Sequence, residues 1–199
     1  MASIFDTLTR QLGGGALQQI SRELGTDEAR TGTAVATALP MLLSALSRNA
    51  SSSEGAAALH GALNRDHDGS VLDDLPQQLG RAQGSVGDGI LGHVLGSQRP
   101  AVEAGLSRTT GMDGAAVTKM LTMLAPVVMG ALGRVQRSDK LDAKGLAGLL
   151  NDEEVSVQRR QPEASSLIGK LLDADGDGDF DIGDVAKRGL GFLGNVFRR

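Results

Sequence analysis

Six aspartates, Asp173, Asp175, Asp177, Asp179, Asp181 and Asp184, fall within twelve positions and supply a quarter of the 24 acidic residues in this 199-residue chain. Carboxylate oxygens at alternating positions are the ligands a hard divalent cation takes, and a folded loop can turn several of them inward at once. Without a cation the same six charges repel one another. The run Asp173-Ala174-Asp175-Gly176-Asp177-Gly178-Asp179-Phe180-Asp181-Ile182-Gly183-Asp184 is therefore expected to bind metal rather than to be a solvated acidic turn.

The run resembles an EF-hand calcium loop over all twelve positions, and apolar segments flank it on both sides. The resemblance places Asp173, Asp175 and Asp177 at loop positions 1, 3 and 5 and Gly178 at the sharp turn of position 6. Asp179 would offer its backbone carbonyl, Asp181 would act directly or through water, and Phe180 would be the apolar anchor. Asp184 stands where most such loops have a bidentate Glu. One methylene shorter, it contracts the loop or gives a single oxygen, so Ca2+ is the expected ion and Mg2+ the alternative. Loops closed by Asp also resemble those of dockerins, which carry two where this region carries one.

A second stretch, Asn64-Arg65-Asp66-His67-Asp68-Gly69-Ser70, reproduces positions 1, 3, 5, 6 and 7 of such a loop, but Leu75 falls where the closing ligand belongs. Two readings stand: a degenerate second cation site, or an Asp-Gly turn with Ser70 as helix N-cap and Asp73 as its capping-box partner. His60, His67 and His93 are the only imidazoles, and the turn is expected to separate the first two. No nucleophile elbow, phosphate-cradling Gly-Lys-Ser/Thr loop or zinc-ligand spacing is present, so no catalytic residue and no organic cofactor is assigned.

The elements that must carry these residues are helical. Ala, Leu, Gln, Arg and Met recur at three- and four-residue spacing and β-branched runs are few, which predicts an all-α protein. Helices are expected at roughly 3–12, 15–24, 27–48, 54–63, 71–80, 87–95, 99–109, 113–135 and 141–150, with 164–172 and 182–197 flanking the acidic loop. Ser21–Arg48 matches Ser107–Arg134 at a constant offset. The identities are Ser21/Ser107, Arg22/Arg108, Gly25/Gly111, Asp27/Asp113, Ala29/Ala115, Pro40/Pro126, Ala45/Ala131, Leu46/Leu132 and Arg48/Arg134. The match implies a duplication of about 16–64 and 102–151. Pro40 and Pro126 are expected to kink or split their helices, and the apolar stretches around them to pack together. The expected domains are a helical unit at 1–151, a charged, apolar-poor linker at 152–163, and a calcium-binding module at 164–199.

Those proline-bearing helices, His67-Asp68-Gly69-Ser70-Val71-Leu72-Asp73-Asp74-Leu75 and Gly89-Ile90-Leu91-Gly92-His93-Val94-Leu95-Gly96 look like the bacterial family catalogued as domain of unknown function 937. The resemblance covers most of 1–151. It implies a helical bacterial domain and transfers no catalytic residue.

Composition narrows the partners. With four Phe, no Tyr or Trp and a net charge of −4, the chain lacks both the aromatic platforms and the positive excess of a nucleic-acid binder. No cysteine is present, and Met1-Ala2-Ser3-Ile4-Phe5-Asp6 does not open a basic and apolar leader, so a cytoplasmic location is expected. The apolar stretch Met120 to Leu132 falls short of the roughly 18 residues that span a bilayer and reads as a core helix. The final segment, Val185 to Arg199, sets Val185, Phe192, Leu193, Val196 and Phe197 near one helix face. Docking on the first domain, self-association into a homo-oligomer or pairing with another protein, and membrane-surface contact all remain open for it, the last least favoured. The function expected is a non-catalytic calcium-binding protein. The alternatives are an enzyme with its active site between the helical repeats and a membrane-surface scaffold.

Overall fold

A computed structural model describes residues 3–80 and 84–160. Among these residues every regular element is helical: α1 (Ile4–Gln11), α2 (Gly15–Leu24), α3 (Glu28–Asn49), α4 (Ser53–Asp66), α5 (Leu75–Gly80), α6 (Gly84–Leu95), α7 (Arg99–Thr110), α8 (Gly114–Ser138) and α9 (Ala143–Arg160). Single 3-10 turns occupy Ser70–Leu72 and Gly96–Gln98.

Two long helices form the centre. The Asp27 carboxylate accepts from the Arg30 amide at 2.8 Å and starts α3, and that of Asp113 accepts from the Ala116 amide at 2.9 Å and starts α8. Each start follows a glycine in the left-handed region, Gly25 at φ 65° and Gly111 at φ 67°, which ends the preceding helix where a Cβ would be strained. Every residue of α3 from Ala38 to Ser47 is buried, as is most of α8 from Met120 to Gly133, and a helix apolar on all sides is one enclosed by others. The two touch each other, and α1, α2, α4, α6 and α7 each pack against both. Among the described residues α8 is the one helix long and apolar enough to cross a membrane, and 78% of its most apolar window is buried inside this fold.

Of the expected kink or split, the split does not occur: both helices run unbroken through their prolines. Pro126 has no N–H to give the carbonyl of Thr122, four residues back. The backbone of Gly87, in α6, lies against that carbonyl so closely that a Cβ at position 87 would overlap it. The neighbouring helix thus covers the acceptor that the proline strands, as a Cα–H contact can. At Pro40 the corresponding residue is Ala36, which is exposed.

The second departure concerns 152–163. Residues 152–160 are not linker but the last two turns of α9, on which Leu146, Leu150, Glu153 and Val157 form one buried stripe. Glu153 disguises the pattern. Its carboxylate accepts from Ser3 Oγ at 2.7 Å and from the amides of Ile4 at 2.9 Å and Phe5 at 3.2 Å, filling the N-terminus of α1 with the negative charge that end favours. Nearby, Ser44 Oγ donates to Glu154 at 3.0 Å, and the Arg160 guanidinium grips both oxygens of Asp6 at 2.8 Å. The module expected at 164–199, with its two helices, lies outside the described residues.

Candidate functional site

The expected ligands Asp173, Asp175, Asp177, Asp179, Asp181 and Asp184 all lie outside the described residues. The second acidic stretch lies within them and is a turn. Because α4 continues to Asp66, Asn64 and Asp66 are helical and cannot alternate inward as loop ligands. The turn comes after His67, with Gly69 at φ 89°. Asp68 accepts from the Ser70 amide at 2.9 Å, and the Ser70 hydroxyl and amide hold its carboxyl below the usual carboxylate range. Asp73 is taken by Arg134, whose guanidinium also donates to the Gly69 carbonyl, while Arg137 donates to the carbonyls of Leu63 at 3.3 Å and Asn64 at 3.2 Å. Asp68 therefore closes a side-chain turn onto the Ser70 amide, the N-cap of the short 3-10 turn is Gly69 rather than Ser70, and Asp73 closes no capping box. Among the described residues no group of three His, Asp or Glu side chains converges to hold a metal ion, so the degenerate second cation site is set aside.

Close backbone contact fixes this turn on α8. A Cβ on Gly133 would overlap the His67 carbonyl, and one on Gly130 would run into Val71. His67, at the C-terminal end of α4, is thereby half-buried; desolvation pushes its imidazole below the ordinary value, and the Asp66 carboxylate opposes that in part.

His67 also edges a groove of about 630 Å3 between α4 and α6. Its floor is Leu46 of α3, Leu59 of α4 and Met129 of α8; Ala58 and Ala62 line one wall, and Gly89, Ile90 and Val94 the other. Asn49, Arg65, Asp66 and His93 complete the rim. Asn49 Nδ2 donates to the carbonyls of His93 at 3.2 Å and Val94 at 3.0 Å, tying the end of α3 to the last turn of α6. His93 Nδ1 meets the Gly89 carbonyl of its own helix at 2.8 Å. The sequence reading did not find this groove. Its apolar residues come from four helices, and only the exposed Val86, one turn before Ile90 and 59% accessible, hints at it locally.

Residues 6–135 match the family described as "Bacterial protein of unknown function (DUF937)". The chain belongs to that family. No curated protein and no solved structure matches it. The DUF937 match runs from α1 into the last turns of α8 and so contains the groove, the turn at 67–73 and both proline-bearing helices. It stops before α9 and before the acidic run, and its description names no activity.

Proposed function

We propose that this DUF937 chain is a non-catalytic calcium-binding protein whose module at 164–199 is ordered by Ca2+ and mediates docking or self-association. One observation carries the proposal: six aspartates at EF-hand spacing between Asp173 and Asp184. An apo loop of that charge resists closure; a bound ion removes the repulsion and sets the angle between the flanking segments, so binding is coupled to folding. What supports a mechanical link to the helical domain is α9, clamped at Glu153 and Arg160 and ending with twelve residues between it and Asp173. Mg2+ competes because Asp184 reaches less far than Glu.

The helical domain is read here as a duplication that forms a platform. In support, α2-α3-α4 and α7-α8-α9 repeat the same series of a left-handed glycine, an aspartate N-cap and an interior proline. An enzyme between the repeats finds less support: of the imidazoles at the groove, His93 is engaged by its own helix and His67 stands at a helix end.

Calorimetric titration of the chelator-stripped full chain tests the proposal. Ca2+ should bind with one ion per chain, and Asp173→Ala or Asp177→Ala should abolish the heat. Heat unchanged by both substitutions overturns the assignment, and two ions per chain would contradict the turn at 67–73.

A further inference from the structure

The groove between α4 and α6 is open and apolar-floored. Its α6 wall continues outward through Val86, the most exposed large hydrophobic residue among those described. Along α6, Val86, Ile90, His93 and Val94 recur at helical spacing and lie on one face. Gly89 stands beside them, and a Cβ placed on it would meet nothing within 4 Å. A glycine inside a helix costs about 1 kcal/mol relative to alanine. Gly87 of the same helix offsets that cost by its approach to Thr122, whereas Gly84, Gly89 and Gly92 make no such contact among the described residues; of these three, Gly89 lies in the groove wall beside Ile90. The face therefore has the floor, the exposed apolar edge and the backbone access of a surface on which a second helix lies close.

Beyond α9 the chain itself supplies a segment of matching form. Between 185 and 199, Val185, Gly189, Phe192, Leu193 and Val196 recur at steps of four, three, one and three residues, the spacing of a single helical stripe. The stripe has a glycine at its centre and large apolar side chains on either side, so glycine can face glycine while Phe192 and its neighbours fill the groove. Twenty-four residues lie between Arg160 and Val185. Fully extended, at about 3.3 Å per residue, their contour approaches 80 Å, an upper bound on reach against a diameter of roughly 40 Å for a domain of this size. Closing the loop around an ion shortens that reach, and the covalent link favours docking on the same chain over capture of a second copy.

We propose that the groove between α4 and α6 is the docking site of residues 185–199 of the same chain, whose apolar stripe around Phe192 would cover the floor formed by Leu59 and Met129. This rests on the reading of 164–199 as a docking module and gives that module its surface. It also gives the calcium loop a consequence. An ion that fixes the segments before and after the loop sets whether 185–199 can reach the groove.

The chain has no cysteine, so a pair can be introduced without removing any. Nitroxide labels on Ala58→Cys in the groove wall and on Asn195→Cys, beside the apolar stripe, would report the distance in the full chain by pulsed electron paramagnetic resonance. With saturating Ca2+, a narrow short-distance peak is expected that survives dilution into unlabelled protein. Phe192→Glu, which leaves the described domain untouched, should lower the ratio of docked to undocked chains by tenfold or more. Ile90→Glu should do the same from the other side. A broad distribution indifferent to Phe192→Glu overturns the proposal, and a peak lost on dilution overturns it in favour of a second copy. Calorimetry on the same samples separates the two ideas. Calcium heat without the peak refutes docking alone, and the peak without calcium heat refutes the calcium reading while docking stands.

Discussion

Glu153→Ala is expected to be among the most damaging single substitutions in this chain, although it removes one surface-type residue from a segment that reads as linker. The Glu153 carboxylate is 6% exposed and joins residues about 150 positions apart through three hydrogen bonds, two of them to the free amides at the start of α1. Hydrogen bonds to a charged group contribute roughly 1.5–3 kcal/mol each, and they are not additive. Taking away the buried acceptor also strands the amides of Ile4 and Phe5, so a total of about 3–5 kcal/mol is expected. Against a typical stability of about 5–15 kcal/mol that is a large fraction, equivalent to a fall in melting temperature of roughly 6–20 °C at this size. Glu153→Gln keeps one acceptor and should lose about half as much. Glu154→Ala breaks only the bond from Ser44 and should lose less than about 1 kcal/mol. Urea unfolding followed by circular dichroism measures all three. A chain cut after Asn151 should resemble Glu153→Ala or be worse, whereas a cut after Arg160 should keep the stability that the full chain has without Ca2+. A loss below about 1 kcal/mol for Glu153→Ala, with Ile4 and Phe5 still helical, would refute the reasoning.

Two glycines of α6 should respond to alanine with opposite sign. Gly87→Ala drives a Cβ into the Thr122 carbonyl and should cost about 1–3 kcal/mol, whereas Gly92→Ala, where a Cβ meets nothing within 4 Å, should stabilise by about 0.5–1 kcal/mol. Matching shifts in the denaturation midpoints of the two variants would contradict the packing described. For His67, the unfolded imidazole titrates near about 6.5 and the folded one below it. The unfolded chain therefore binds more protons in the window below about 6.5, so this contribution is complete above that pH and is lost as pH falls through the folded value. His67→Gln should flatten the stability profile between about pH 7 and 5, and identical slopes for the two proteins would count against the desolvated site.

Local rules explain why much of the helical order was legible. Gly25 before Asp27 and Gly111 before Asp113 announce a stop and a start within three residues, and the apolar runs that follow admit no second conformation. The end of α9 was hidden because its third core position holds Glu153, an ionic residue whose partners lie at the other end of the chain and leave no local trace. The EF-hand-like spacing at 64–70 left two readings standing for the opposite reason. Asn64 and Asp66 have the right types, but α4 runs on through them, and whether a helix ends two residues earlier depends on Arg137 and Gly133 of α8. The groove was invisible because no single segment contains it. Its floor and walls come from Leu46, Leu59, Ile90 and Met129, residues whose own neighbourhoods read as ordinary core.

The contact of Gly87 with Thr122 has a bearing on registration. Two apolar helices in parallel contact can slip past one another by a turn, about 5.4 Å, and find nearly equivalent side-chain packing. Along α8 the carbonyl of Thr122 is singular, because Pro126 alone among its neighbours cannot cover it, and only a residue without a side chain can sit on it. The crossing point is thus indexed by one stranded oxygen and one missing carbon. The distance from there to Ile90 and Val94 is set by less than two turns of α6, so the width of the groove is inherited from a defect in the backbone of the helix beneath it.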